Sequence, residues 1–290
     1  MPDDAKTRLD QQIVKLHPDI NRSYAQHLIS SGLVAVNDKT ITKSGHKITS
    51  SDKIIVKQNS VNQKIPNIDI PVIYEDENCV VINKPVGLLA HSKGPMNKEA
   101  TVATWLSHRI NESDFDIPKA KDLNDRYGIV HRLDRGTSGV MICAKNKQTL
   151  AYLQRQFTNR KAQKTYLAVV KGVPPQNHAI IEMPIERNPK KPQTFRVGSN
   201  GKSSITEFKL INTNNKFSLL ELTPKTGRTH QLRVHLSHIG IPIAGDTLYG
   251  GPESDRLYLH SRVLTINIPG NITKTFEAKV PESFERMVNS

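Results

Sequence analysis

The sequence predicts an α+β protein in two parts, a small helix-and-strand unit followed by a larger domain. Three observations carry this. The first sixty residues show helical apolar spacing and then short alternating runs, whereas strand-length apolar runs dominate from about Val72 onward. Between them, residues 58–70 are polar, Asn-rich and broken by proline, which reads as a linker across which two units can move. With 290 residues, the chain has enough length to bury a core in either part.

Taken in order, Leu9, Ile13 and Leu16 repeat at helical spacing, and His17-Pro18 ends that helix. Asn21 can cap a second helix in which Tyr24 and Leu28 share a face and Gly32 closes the C-terminus. Val34 and Val36 alternate before the turn Asn37-Asp38-Lys39, and Ile41, Ile48, Ile54, Ile55 and Val56 supply the remaining strand residues of a small twisted sheet. The larger part opens with a strand at Val72-Ile73-Tyr74, an acidic turn and a second strand over Cys79–Lys84, which Pro85-Val86-Gly87 breaks. A helix over residues 101–110 carries Trp105 as a core residue. Asn146 caps a helix striped by Leu150, Leu153 and Phe157, with Arg155, Arg160 and Lys161 on or beyond its outer side. The strand Lys164–Val170 places Tyr166, Ala168 and Val170 on one face. A basic stretch over residues 187–204 reads as a flexible loop, and strands return at Ile205–Leu210 and Phe217–Leu222.

Charge names the partner class. Against 27 acidic residues stand 41 basic ones, a net charge of +14, of which 9 basic and 6 acidic residues fall in the first sixty. Such an excess attracts polyanions, nucleic acid first and anionic membrane surface a distant second. Cys79 and Cys143 both lie in apolar runs and read as buried free thiols. The acidic opening Met1–Lys6 contains no secretory apolar segment and no run approaches the length of a membrane span, so the expectation is a cytoplasmic protein that needs no membrane.

Two stretches carry chemistry. In His131-Arg132-Leu133-Asp134-Arg135-Gly136-Thr137-Ser138-Gly139 a carboxylate sits in a polar turn between Gly128-Ile129-Val130, read as the end of a strand, and the buried run Val140–Ala144. Gly136 and Gly139 allow backbone angles that a Cβ discourages. Asp134 is either a carboxylate held rigidly for chemistry or a turn aspartate bonding its own backbone. In Lys225–Gly240, Leu232, Leu236 and Ile239 mark a helix with Thr229 as cap and Gly240 as exit, and Arg233 lies on the flank of the buried stripe, able to reach a cleft. No metal is expected: His230 and His235 are about 140° apart on a helix, and His235 with His238 lacks further ligands. Neither phosphate-loop nor dinucleotide glycine patterns occur, so no cofactor is expected.

Together, Asn83-Lys84-Pro85-x-Gly87, His131-Arg132-Leu133-Asp134-x-x-Thr137-Ser138-Gly139, Lys164-x-Tyr166-x-Ala168, Thr226-Gly227-Arg228-Thr229-His230-Gln231-Leu232-Arg233-x-His235 and Gly245-Asp246-x-x-Tyr249-Gly250 resemble the RluA/RluD-type pseudouridine synthases, from about Val72 to the C-terminus and in the right order. Arg22-Ser23-x-Ala25-x-x-Leu28-Ile29-x-x-Gly32-x-Val34-x-Val36-Asn37 is similar to an S4 RNA-binding domain. The resemblance implies an S4-like domain over 1–60, a linker over 61–70 and a catalytic domain over 71–290 with a mixed, largely antiparallel sheet and a central cleft. It implies an enzyme that isomerises uridine to pseudouridine in structured RNA, with Asp134, Tyr166 and Arg233 as catalytic residues. Arg132, Arg228 and His230 are the base-flipping and substrate-binding candidates, and Arg8, Arg22 and Lys43 the RNA contacts of the S4-like domain. Arg135-Gly136 departs from the acidic or small polar pair frequent in the family, adding charge and flexibility beside Asp134.

The residues suit that reaction. A C–N glycosidic bond must break, the uracil turn and a C–C bond form, without net redox change or hydrolysis. A carboxylate can attack C1′ or remove the C2′ proton, and the sequence does not choose. Either route needs Asp134 ionised, which a guanidinium beside it favours. Tyr166 offers a face for the base and a hydroxyl, Arg132 can fill the gap left by a flipped uridine, and His131 shapes the loop. The cleft should otherwise be narrow and apolar, to keep water from the detached base. The expected substrate is large-subunit ribosomal RNA, acted on by a monomer. Transfer RNA is the alternative substrate, and a non-catalytic RNA-binding or ribosome-assembly role the alternative class.

Overall fold

A computed structural model of the protein describes residues 6–17, 22–57, 66, 68–91, 99–110, 112–115 and 128–289. Two units separate, one holding the described residues up to 57 and the other those from 66 onward.

In the smaller unit β1 (Thr7–Arg8) leads into α1 (Leu9–Leu16), which buries Leu9 and Ile13 completely. Leu16, the third residue of the expected stripe, is exposed at the last residue of the helix. α2 (Arg22–Ser30) buries Ala25, Leu28 and Ile29, while its expected cap, Asn21, lies outside the described residues. Gly32, at φ +71°, closes α2: its N–H and that of Leu33 donate to the carbonyls of Ile29 and Leu28. β2 (Val34–Val36) passes through Asn37 and Asp38, both at positive φ, into β3 (Lys39–Thr40), a tight hairpin. β4 (Lys47–Ile48) and β5 (Ile54–Val56) complete the unit. The expected single sheet is two: β3-β2-β5 forms one, and β4 pairs with β1 instead. Ile48 still points into the core that β2 and the helices share, so burial is kept although the pairing differs.

The larger unit contains β6 (Val72–Glu75), β7 (Cys79–Lys84), α3 (Val102–Leu106), β8 (Ser138–Ala144), α4 (Lys147–Thr158), β9 (Gln163–Lys171), β10 (His178–Glu182), β11 (Ile185–Arg187), β12 (Phe195–Val197), β13 (Ile205–Thr213), β14 (Phe217–Pro224), α5 (Gln231–His238), β15 (Leu259–Ile268), β16 (Ile272–Glu277) and α6 (Ser283–Asn289). Nine strands form one sheet in the order β10-β13-β14-β9-β15-β8-β7-β6, with β16 also on β15. Within this sheet only the β15–β8 pairing is parallel among the described residues, so the sheet is mixed and largely antiparallel and the fold α+β. Gly139 makes that parallel contact possible: at φ +111° it lies so close to Ser261 that a Cβ would strike the Ser261 backbone. Gly136 instead has no positive φ, and a Cβ there would press against the Leu257 side chain at 3.1 Å.

Every residue of β8 is buried, as its apolar run requires, and Cys79 and Cys143 are buried free thiols whose pKa burial pushes up to about 12. Asn146 caps α4, its Oδ1 accepting from the Thr149 N–H at 2.8 Å. Several expectations are corrected. The helix around Trp105 has five residues rather than ten; Thr101 and Thr104 close a reciprocal cap at its start, and Trp105 is buried. Gly128–Val130 forms no strand, only an isolated bridge from Ile129 to Cys143. The basic stretch over 187–204 is not loop alone: its Phe195–Val197 segment pairs with Ile185–Arg187 as a hairpin. Ile70, placed in the linker, is 1% exposed and packs with Val80, Ile82 and Trp105, so the larger unit begins before residue 71. No helix among the described residues is long and apolar enough to cross a membrane.

Candidate active site

A cavity of about 560 Å³ opens over β9 and α5 in the larger unit, and Asp134, Tyr166 and Arg233 all line it. Asp134 reaches it from the turn before β8, which its own carbonyl closes by accepting the Thr137 N–H at 3.0 Å. The carboxylate itself makes no hydrogen bond to that turn; among the described residues its polar neighbours are Arg233 Nη1 at 3.4 Å and His230 Nε2 at 3.8 Å, both toward Oδ2. The turn-aspartate alternative is thus not what the fold builds. Tyr166 comes from β9, whose alternation turns it with Lys164 toward the cavity. Burial, opposed by a hydrogen bond with Ser261 and reinforced by the charge of Asp134, pushes the phenol up to about 12, so it stays protonated at neutral pH.

Arg233 comes from α5 and is held elsewhere. Its Nε and Nη2 donate to Asp246 Oδ2 and Oδ1 at 2.7 and 2.8 Å, a bidentate pair with a carboxylate that is 2% exposed. Burial works against the guanidinium's charge, but Asp246 and then Asp134 outweigh it and hold its pKa above the ordinary value. Thr229 does not cap α5. The N-cap is His230, in the left-handed region at φ 56°, and the Gln231 side chain serves the turn by accepting from the Arg228 N–H and the Thr226 hydroxyl.

His230 is fixed by Tyr249. The Phe195 N–H donates to the phenolic oxygen of Tyr249 at 2.9 Å, and the same oxygen shares a hydrogen bond with His230 Nδ1 at 2.7 Å. The Asp134 carboxylate facing Nε2 favours the ring tautomer protonated there, with Nδ1 accepting the Tyr249 proton. Burial lowers the His230 pKa, which keeps the ring neutral. Asp246, Tyr249 and Phe195 had no role in the sequence reading, although Gly245-Asp246-x-x-Tyr249 stood out as a pattern; nothing local says that they meet α5.

Lys84 was also missed. It is fully buried, and its Nζ donates to the carbonyls of Leu88, Pro85 and Arg135 at 2.7, 2.9 and 3.4 Å, which ties the chain after Asp134 to the turn after β7. Burial pushes its pKa down to about 7, opposed by Asp134. Arg135 turns away from Asp134: its Nε donates to the Gly87 carbonyl at 3.0 Å and its Nη2 pairs with Glu99 at 3.0 Å. His131 accepts the Ile142 N–H at 3.1 Å and stacks on Phe157, so it shapes the loop as expected.

Arg132 is exposed at the cavity, its Nη1 3.4 Å from His91 Nε2, and Arg228 lines the same cavity with its Nε donating to the Ser203 carbonyl. In contrast to the apolar cleft expected, the lining is rich in Thr, Lys and Arg, with Leu133, Leu232 and Leu259 supplying apolar surface. His235 is buried, bonded to Thr206 Oγ1 and the Met183 carbonyl, and no group of residues able to hold a metal occurs among the described residues.

In the smaller unit Arg8 and Arg22 converge on Asp10, which is 0% exposed. Arg8 donates two hydrogen bonds, at 2.9 and 3.0 Å, and Arg22 one, at 3.1 Å, with Gln26 adding a fourth. Arg8 and the others outweigh burial and hold the Asp10 carboxyl well below the usual range. Lys43 is exposed on the turn whose Ser44 and His46 carbonyls accept the N–H groups of Asp10 and Leu9, at the start of α1.

The description RNA pseudouridylate synthase matches residues 78–238, and that of the S4 domain matches 7–54. A ribosomal large subunit pseudouridine synthase D of Borreliella burgdorferi is 38% identical over 252 residues, covering 83% of this chain and 76% of the relative. An RNA pseudouridine synthase of Aquifex aeolicus is also 38% identical, over 85% of this chain and 78% of the other. Among solved structures, human RNA pseudouridylate synthase domain containing 4 is similar with a TM-score of 0.58 and 27% identity, over 74% of this chain and 90% of that one. With the motifs in order, the mixed sheet and its cavity, and these likenesses over most of its length, the chain belongs to the RNA pseudouridine synthase family, an isomerase preceded by an S4 domain.

Proposed function

We propose that the enzyme converts uridine to pseudouridine in large-subunit ribosomal RNA, with Asp134 as the reacting carboxylate. The convergence of Asp134, Tyr166 and Arg233 on one cavity carries this reading, and two relatives named ribosomal large subunit pseudouridine synthase D support the substrate. Arg233 and His230 both approach Oδ2 of Asp134, which leaves Oδ1 to meet the sugar, at C1′ as nucleophile or at the C2′ proton as base. A protonated Tyr166 offers its ring to the uracil and a hydroxyl for proton transfer while the base turns. Arg132, at the cavity, fills the space of the flipped uridine, and Arg228 and His230 bind the nucleotide. The S4-like domain, 1–60, grips RNA through Arg8, Arg22 and Lys43 and is joined by a linker that ends before Ile70 to the catalytic domain. The protein works as a monomer in the cytoplasm, where ribosomal RNA is its partner.

The test is Asp134→Asn with large-subunit ribosomal RNA from cells lacking the gene. Pseudouridine formation should fall by at least about 10²-fold, the smaller end of what a general base contributes, with RNA binding retained. Turnover near wild type would remove Asp134 from the mechanism, and modification confined to transfer RNA would replace the substrate.

A further inference from the structure

Among the described residues, six cationic side chains line the cavity against one carboxylate, Asp134. Four are already engaged: Arg233 by Asp246 and Asp134, Lys225 by Glu207 at 2.7 Å, Arg228 by the Ser203 carbonyl, and Arg132 by His91. The side chains of the other two, Arg160 and Lys164, have no hydrogen bond or ion pair among the described residues. They lie on one wall, where α4 ends and β9 begins.

Lys164 precedes Tyr166 by two residues on β9, so both side chains stand on the same face, roughly 6.7 Å apart along the strand. Gly227, opposite, has no side chain to fill the space: a Cβ there would stand 3.9 Å from Lys164 Nζ. Burial lowers the Lys164 pKa and no carboxylate raises it again, so the ammonium is held at a cost that an anion would offset.

Arg160 is independently unusual. It occupies the position after α4 at φ 57°, where its N–H and that of Lys161 donate to the carbonyls of Phe157 and Gln156. That is the left-handed helix exit that glycine fills without strain, and here an arginine holds it, exposed and facing the cavity.

We propose that Arg160 and Lys164 form a phosphate-binding edge of the cavity, which takes the RNA backbone beside the uridine resting on Tyr166. The step from Lys164 to Tyr166 along β9 matches the reach from a phosphate to the base of its own nucleotide. Two unengaged cations on the wall next to the base platform suit a polyanion whose base has entered the cavity. This rests on the reading of the cavity as the place where uridine is isomerised.

The test uses the full chain with a twelve-residue oligouridylate and its uncharged methylphosphonate counterpart as probes. Between 50 and 200 mM salt, wild-type affinity for the charged probe should fall about sevenfold further than that of the R160G/K164Q double variant, given a slope of roughly 0.7 for each single-strand phosphate contact. The methylphosphonate probe should bind wild type and double variant alike, and K164R should restore what K164Q loses. R160G alone should melt at the same or a higher temperature than wild type while binding the charged probe more weakly, since it relieves the backbone and removes only the charge. An unchanged salt slope in the double variant would overturn the proposal, as would an R160G protein that loses stability and keeps its RNA affinity. Should K164Q fail to fold, K164M, which keeps the apolar stem, takes its place in the same comparison. None of these readouts needs turnover, so failure to modify ribosomal RNA would strike the proposed function and leave this edge to be judged by binding alone.

Discussion

Arg233 is bound to Asp246 more tightly than to Asp134: two hydrogen bonds of 2.7 and 2.8 Å hold Nε and Nη2, while Nη1 stands 3.4 Å from the Asp134 carboxylate. The guanidinium is aimed before substrate arrives, by a partner thirteen residues along the chain. The charge beside Asp134 therefore depends on a residue that does not touch the reacting atoms.

Asp246→Asn should accordingly lower both stability and turnover. Removing one partner of a buried charged pair costs about 3–5 kcal/mol; because Asp134 still offers Arg233 a carboxylate and 11% of its side chain is exposed, about 2–3 kcal/mol is expected here. Turnover should fall by about 10²-fold as the guanidinium loses its aim. Urea unfolding and single-turnover pseudouridine formation measure the two, and an active, fully stable D246N enzyme would show that Asp134 alone positions Arg233.

Tyr249→Phe tests the tautomer of His230. Without the phenolic proton, Nδ1 loses its donor and the ring is free to protonate there instead, turning an unprotonated nitrogen toward Asp134. Imidazole nitrogen spectra of the full chain, with His230 assigned by its loss in H230Q, should show Nε2–H in wild type and a mixture in Y249F. Turnover should fall about tenfold, less than for loss of Asp134, since Arg233 still approaches Oδ2. A wild-type ring protonated at Nδ1 would refute the arrangement.

Acid should weaken the fold through two histidines that remain neutral inside it. Burial pushes His131 down to about 3 and His260 to about 4. Both have an ordinary value near 6.5 once unfolded, so the unfolded chain takes up protons first. Stability contributed by the neutral rings is complete above about pH 6.5 and is lost as pH falls toward 4 and then 3. Urea midpoints from pH 7.5 to 4.5 should fall more steeply in wild type than in His260→Asn, whose amide can still hydrogen-bond the Ser138 hydroxyl but does not titrate. Equal slopes would mean that His260 takes up its proton in the fold as readily as in the unfolded chain.

Local rules were enough for the interiors of elements. The apolar run Val140–Ala144 marked a buried strand, Asn146 marked the start of α4, and alternation along β9 placed Tyr166, Ala168 and Val170 on one face, because each of these depends on a residue and its near neighbours. Element ends were less legible. Leu16 fits a helical stripe but lies beyond what its neighbours cover, the helix at Trp105 stops after five residues, and α5 starts from a left-handed histidine that a Thr cap would have made unnecessary.

By itself the sequence determined a basic two-part α+β chain, with Asp134, Tyr166 and Arg233 in recognisable patterns. Only the tertiary structure decided that Asp246 carries Arg233, that Tyr249 and the Phe195 backbone hold His230, that Lys84 pins the turn after Asp134, and that Arg160 and Lys164 are the cavity cations left unengaged among the described residues. The reason is physical. Periodicity reports which face of a segment is buried, but the partner of a buried charge or a ring nitrogen is chosen by which segments the sheet brings together, and no spacing along the chain records that choice.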